Sequence, residues 1–285
     1  MSAQIRVMNA AGEYEPYEEE KVRSSLARAE ADGVFQDRIV EHLRTKLYDG
    51  IPTKVVYKEI LHLLKKLKSS LASRYHLKQA IMELGPTGFP FEKYFAGVLE
   101  SYGYKTVTND YIRGKCVTHE IDIVAWKEDC HVAAAPRNDI AALGMTSSKI
   151  MIECKFHHEP GVRSDIKDGL YTYARFLDIK ENGFDEIWLV TNTKATSELV
   201  AYGNCAGLKV ISWNYPEDFS LRLLVSQKKL HPITVLNSLS SVDKQILLAN
   251  NIVFCYELLN PKVNCLPKDA LIKAQNEARL VIGTN

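Results

Sequence analysis

Two prolines and two glycines fall within six residues, Gly85-Pro86-Thr87-Gly88-Phe89-Pro90, and no regular helix or strand runs through such a stretch. The 285-residue chain is therefore divided there, and its length predicts one to three domains. Upstream the spacing is helical. After a short hairpin over Ile5 to Tyr17, turning at Ala11-Gly12, apolar residues recur every three to four positions. They predict helices over Glu18–Ala31, Asp37–Tyr48, Lys54–Ser69 with Thr53 as N-cap, and Leu71–Leu84. Leu64-Lys65-Lys66-Leu67-Lys68 reads as the wet side of an amphipathic helix.

Downstream the period alternates. A helix over Phe91–Tyr102 ends at Gly103, and strands follow at Lys105–Asn109, His119–Trp126 and Lys149–Cys154. A helix over Asp165–Leu177, a strand over Glu186–Thr191, a helix over Ser197–Ala206 and a strand over Lys209–Ser212 complete the segment. Strands alternating with helices predict an α/β sheet covered by helices. The 127–148 loop is long for a compact domain. From His231 short helices return, over Pro232–Leu239, Val242–Ala249 and Phe254–Leu259, with a last one from Pro267 to Ile282.

Two strands carry charge where a sheet interior should be apolar. They are Ile121-Asp122-Ile123-Val124 and Ile150-Met151-Ile152-Glu153-Cys154-Lys155. Alternate strand residues share a face, so Glu153 and Lys155 point together while Asp122 comes from a neighbouring strand. Two carboxylates in an apolar sheet repel unless a cation compensates. Mg²⁺ takes hard oxygen ligands and keeps several waters, so two carboxylates suit it. Lys155 is placed to orient a nucleophilic water or to offset charge on an attacked phosphate. The competing reading is a surface Glu–Lys pair on an edge strand, and the short pattern alone does not decide between the two.

With Phe91-Glu92, Gly103-Tyr104, His119 to Ala125 and Ile152-Glu153-Cys154-Lys155-Phe156 in place, residues 90–215 resemble the Mrr-like branch of the PD-(D/E)xK restriction-endonuclease-like nucleases. The resemblance implies DNA phosphodiester hydrolysis with Mg²⁺ or Mn²⁺. It implies Asp122 and Glu153 as metal ligands, Glu92 as an accessory ligand and Lys155 as the residue that positions water. Two features depart from that family. The 127–148 segment is longer than usual, and no Gln follows on the next helix, where Lys167 or Tyr173 is expected to face the site. Tyr171, Tyr173 and Phe176 read together as core, and His157 and His158 as a solvated pair.

Residues 3–84 resemble an ATP-cone through Gly12-Glu13-Tyr14-Glu15-Pro16-Tyr17, Glu20-Lys21-Val22 and Ala72 to Lys78. The resemblance implies ATP or dATP as an effector, with Arg6 and Lys21 as phosphate contacts. Asn9-Ala10-Ala11 replaces the usual basic pair, which leaves nucleotide binding and a structural or dimerising role both open. An ATP-cone fused to an Mrr-like nuclease is an arrangement known among prokaryotic proteins. The C-terminal segment faintly resembles a helix-hairpin-helix binder of DNA backbone, with Asn250-Asn251 where glycines are usual.

The expected fold class is a multidomain α+β chain. It comprises a helical ATP-cone-like domain over 1–86, an α/β nuclease domain over 87–226 and a small helical domain over 227–285. The expected function is a metal-dependent DNA endonuclease regulated by nucleotide, acting as a homodimer or higher homo-oligomer. The alternatives are a nucleotide-responsive DNA-binding regulator with an inactive nuclease fold, and a nuclease of RNA or DNA junctions. A net charge of +1 argues against a whole-chain polyanion binder. No run of about 18 apolar residues predicts a membrane span. Six scattered cysteines without a CxxC pair predict a reducing, cytoplasmic setting.

Overall fold

The computed structural model describes residues 5–9, 12–127 and 148–283, so Ala11 of the expected hairpin turn and most of the 127–148 loop lie outside the described residues. The chain is a mixed α/β protein of two compact units, residues 1–83 with 231–285 and residues 84–230. Among the described residues no helix is long and apolar enough to cross a membrane.

The first unit opens with β1 (Arg6–Met8) and β2 (Tyr14–Pro16), which pair antiparallel, and β3 (Ile51–Pro52), which joins β1 in parallel. Four helices surround this small sheet: α1 (Glu19–Arg28), α2 (Gly33–Arg44), α3 (Thr53–Leu67) and α4 (Ser69–Met82). Asp32 caps α2 by accepting the Phe35 N–H at 2.9 Å, so that helix starts four residues before the sequence reading placed it. Leu26, Ile39, Leu43, Ile60 and Leu64, the periodic apolar positions, form the core.

The C-terminal helices are not a unit of their own. Ile233, Val235, Leu236, Leu247, Leu258, Ala274 and Ala278 pack around Ala80 of α4, and the Thr234 hydroxyl donates to the Ala80 carbonyl at 2.5 Å. The reason is apolar area: two short 3-10 turns (Ile233–Val235 and Cys255–Leu259) have too little face to close a core without α4. Between these turns lies α9 (Ser241–Ala249), after which Asn251 takes the left-handed conformation that a Gly would adopt more easily.

The second unit is built on a mixed five-stranded sheet of order β10-β8-β6-β5-β4. The strands are β4 (Tyr104–Arg113), β5 (Thr118–Lys127), β6 (Lys149–Lys155), β8 (Phe184–Thr191) and β10 (Leu208–Ile211). The first three run antiparallel in sequence, and β6, β8 and β10 are parallel. A two-stranded pair, β7 (Arg163–Ser164) with β9 (Lys194–Ala195), lies outside that sheet. In β8 every residue from Ile187 to Val190 is buried, as a central strand requires.

Helix α5 (Phe89–Ser101) begins with Pro90 in its first turn, where a missing N–H costs nothing, and contacts β4 and β5. Asp165 and Asp168 form a capping box at the start of α6 (Ile166–Ile179). Thr196 caps α7 (Ser197–Ala206). Phe176, Ile179 and Leu199 from α6 and α7 bury against Ile121, Val124, Met151, Ile187 and Leu189. The short helix α8 (Leu221–Gln227) precedes the return to the first unit, and α10 (Lys268–Ile282) is the last helix there.

Candidate active site

The β5–β6 ladder is regular from Trp126↔Lys149 to Ile123↔Ile152 and then opens. One step further Asp122 stands opposite Glu153. Its Oδ2 accepts the Cys154 N–H at 2.7 Å, a donor that a continued ladder would have sent to the β5 backbone. The β6–β8 ladder continues to Lys155↔Thr191, so the separation lies between β5 and β6 alone. The same place is irregular on the other side of β5. The β4–β5 register passes from Thr108↔Ile123 to Asp110↔Ile121, and Asn109, opposite Asp122, has φ +56°. Its side-chain amide donates to Glu92 Oε2 at 3.1 Å. In this way α5, β4, β5 and β6 bring Glu92, Asp122, Glu153 and Lys155 to one end of the sheet.

Glu153 is 4% exposed and both of its oxygens are engaged. Lys155 Nζ donates to Oε1 at 2.9 Å, and the Arg175 guanidinium of α6 donates to Oε2. The other terminal nitrogen of Arg175 donates to the Glu120 carbonyl, while its buried Nε has no partner. Tyr171, one turn earlier on α6, lays its exposed ring 5.6 Å from Lys155 Nζ and 5.4 Å from the Arg175 guanidinium carbon. It therefore belongs to the site and not to the core with which its spacing grouped it. Tyr173 packs on Phe176 and Tyr202 instead, and Lys167 is exposed.

Sequence reasoning missed Arg175. An arginine on an amphipathic helix reads as a solvated residue. The available signal was its position one turn after Tyr171 on a helix otherwise apolar over Tyr173–Leu177.

The electrostatics follow from burial and from charges of one sign. Burial, then the charges of Asp122, Glu120 and Glu153, push the Glu92 carboxyl up to about 7. Burial and the Glu153 charge push Asp122 up to about 6, against the Cys154 N–H and the charges of Arg175 and Lys155. Burial works against the Lys155 charge, but Glu153, with Asp168 and Asp122, outweighs it and the ammonium is held above its ordinary range. A carboxyl whose folded pKa exceeds its unfolded value keeps its proton while the unfolded chain has already lost it. Raising the pH through that interval favours unfolding. Without divalent cation, stability is expected to fall between about pH 4.5 and 7, the interval set by Glu92, and Glu92→Gln should flatten the slope there. Urea melts across that range check this, and a Glu92→Gln slope equal to that of the wild type refutes the assignment, because half-buried His76 and His157 add an opposite slope to both proteins alike.

The donor set suits a hard cation. Asp122 and Glu153 are carboxylates opposite each other across the open ladder, and the Glu153 charge adds to burial in disfavouring the ionised Asp122, a repulsion that a cation between them would offset. Among the described residues no three His, Cys, Asp or Glu side chains lie close enough to share an ion. Asp122 and Glu153 are the two that could hold such an ion, with water at its other positions as Mg²⁺ favours, provided Lys155 or Arg175 releases an oxygen of Glu153. Glu92 is close enough to feel their charge but is bound to Asn109.

His157 is a supporting residue. Its N–H donates to Asn192 and its ring lies 3.0 Å from the Ser164 hydroxyl. Asp178 has a structural role, accepting the N–H groups of Cys116 and Val117 and holding His119 at 2.8 Å. A Cβ on Gly114 would lie 2.2 Å from an Asp178 oxygen, so only glycine fits that hairpin.

The two residues expected to contact nucleotide are apart in their engagements. Arg6 is tied to Asp49 through its N–H, Nε and terminal nitrogen, the last at 2.6 Å. Lys21 pairs with Glu18 at 3.0 Å and Glu15 at 3.5 Å. It lines a cavity of about 160 Å³ with Tyr17, Tyr57 and Tyr75.

Comparison with known proteins gives one family. Residues 231–279 match the family model described as AF1548-like, C-terminal. A protein of Archaeoglobus fulgidus, described as an uncharacterized protein, is 37% identical over 168 residues, which is 58% of this chain and 83% of the relative. A solved structure, "Crystal Structure of Protein of Unknown Function AF1548", has 32% identity and a TM-score of 0.55. The match covers 70% of this chain and all of that one.

Proposed function

We propose that this chain, which belongs to the AF1548-like family, is a divalent-metal-dependent endonuclease that hydrolyses phosphodiester bonds of DNA. The observation that carries the reading is the open β5–β6 ladder. It sets Asp122 against Glu153 and leaves Lys155 half-buried beside them. Asp122 and Glu153 are the residues that would hold Mg²⁺ or Mn²⁺. A bound ion there supplies an acidified water and offsets negative charge at phosphorus.

The protein's own groups do the rest. The Cys154 N–H fixes the orientation of Asp122, and Arg175 fixes that of Glu153. Lys155 donates a hydrogen bond at the mouth of the site, where it orients water toward a phosphate and stabilises the charge that develops on it. Cutting both strands of a duplex takes two such sites, so the working species is a homodimer or higher homo-oligomer. ATP or dATP acts as effector in the first unit. Lys21 on the lining of the 160 Å³ cavity supports that part of the reading.

One observation favours the regulator with an inactive nuclease fold: both oxygens of Glu153 are already occupied by cationic side chains. Incubating purified protein with plasmid and linear DNA in Mg²⁺, Mn²⁺ or EDTA, with and without ATP or dATP, separates the two readings. The expected result is cutting that requires metal and responds to nucleotide. No cutting under any condition, together with no metal binding by calorimetry, leaves the regulator. The same assay with RNA and branched DNA settles the substrate class.

A further inference from the structure

The net charge of the chain is +1, yet residues 38–68 hold eight Lys and Arg against three Asp and Glu. This excess gathers on α3. At about 100° per residue, Lys54, Lys58, His62 and Lys65 fall within roughly 80° of arc, along about 16 Å of helix. All four are exposed. Two of the three acids are paired elsewhere, Glu59 with His42 at 2.7 Å and Asp49 with Arg6. Among the described residues Lys54, Lys58, Lys65 and Lys66 have no carboxylate partner within 4.0 Å. Lys66 and Arg38 add two cations, against the single carboxylate of Glu41, to the lining of a cavity of about 370 Å³ between α2 and α3 that also includes Ile39, Leu63 and Leu67.

A solvated face needs no such separation of sign, because mixed charges dissolve a helix as well and repel less. We infer that the α3 face of the first unit is a docking surface for the phosphate backbone of a nucleic acid duplex. One strand of duplex advances about 3.4 Å per phosphate, so the 16 Å row spans about five phosphates. Contacts of this kind fix position and orientation and read no sequence. A bilayer is the poorer partner, since membrane-lying helices set large apolar side chains beside their cations. On the exposed arc of α3 no aromatic residue is present, and Val55, 44% exposed, is its largest solvent-facing apolar side chain. The inference rests on the nuclease reading only in choosing nucleic acid among polyanions.

Fluorescence anisotropy of a labelled 30-base-pair duplex, in EDTA so that cutting plays no part, tests it on the full chain. The combined Lys54→Gln, Lys58→Gln, Lys65→Gln variant should lower the slope of log K against log salt by about 2.7, and affinity at 0.1 M salt by about 10²-fold. A control with Lys262, Lys268 and Lys273 changed to Gln should leave the slope as in the wild type. Single Lys58→Gln and Lys65→Gln variants, each lowering the slope by about 0.9, serve if the triple variant fails to fold. The surface is refuted by a wild type that does not bind duplex, by an unchanged slope in the α3 variants, or by an equal loss in the control. Stronger binding to phosphatidylserine vesicles than to duplex would replace nucleic acid with a membrane. Because cleavage is not read, failure of the nuclease reading leaves this result intact.

Discussion

Lys155→Ala is expected to lower metal-dependent cleavage by about 10²–10⁴-fold while the protein melts near the wild-type temperature. The two parts of that expectation have separate causes. Lys155 is 26% exposed, so water can take its place at Glu153 Oε1 while Arg175 still holds Oε2, and the fold loses far less than it would at Arg175. The chemistry loses the ammonium that stands beside the two carboxylates. Lys155→Arg should not rescue, because a planar guanidinium cannot place a single donor where the compact ammonium does. Asp122→Asn is the companion variant. Its amide oxygen still accepts the Cys154 N–H, so metal affinity by calorimetry should fall with no change in folding. Cleavage at the wild-type rate by Lys155→Ala would remove the residue from the mechanism.

The largest effect on stability is expected at Arg175. The residue is 8% exposed, and its guanidinium joins Glu153 to the Glu120 carbonyl. Arg175→Ala leaves a buried carboxylate with half its compensation and a carbonyl without its donor, a loss of about 3–5 kcal/mol. All three tryptophans, Trp126, Trp188 and Trp213, lie in the second unit, so urea melts followed by tryptophan fluorescence report that unit by itself. Adding Glu153→Gln to Arg175→Ala should restore part of the loss, since the orphaned charge goes with it. A change below about 1 kcal/mol in the single variant would show that the guanidinium is not structural.

The elements that the sequence made legible are those whose pattern is local. Helices α3, α6 and α7 carry their apolar residues at helical spacing, although Thr53, expected to cap α3, is instead its first residue after Pro52. Asp122, Glu153 and Lys155 stood out because charge interrupts apolar strands. What stayed hidden depends on distant chain. Strand β4 runs on to Arg113, past the expected end at Asn109, because β5 supplies its partners and the turn is tied down by Asp178 from α6. Arg175 is buried only because β6 passes beneath it. The association of residues 231–285 with α4 turns on Ala80, a residue too small to advertise a contact. Helix α8 has seven residues, too few to show a period.

The pairing of the two chain ends in one unit also sets an order in time. A ribosome delivers residues 84–230, a segment with its own complete sheet, before it delivers Ala274 and Ala278. The central unit can close while the first still has Ala80 and its neighbours uncovered. For that interval the side of α4 that carries Ala80 stays open to chaperones and to misassociation.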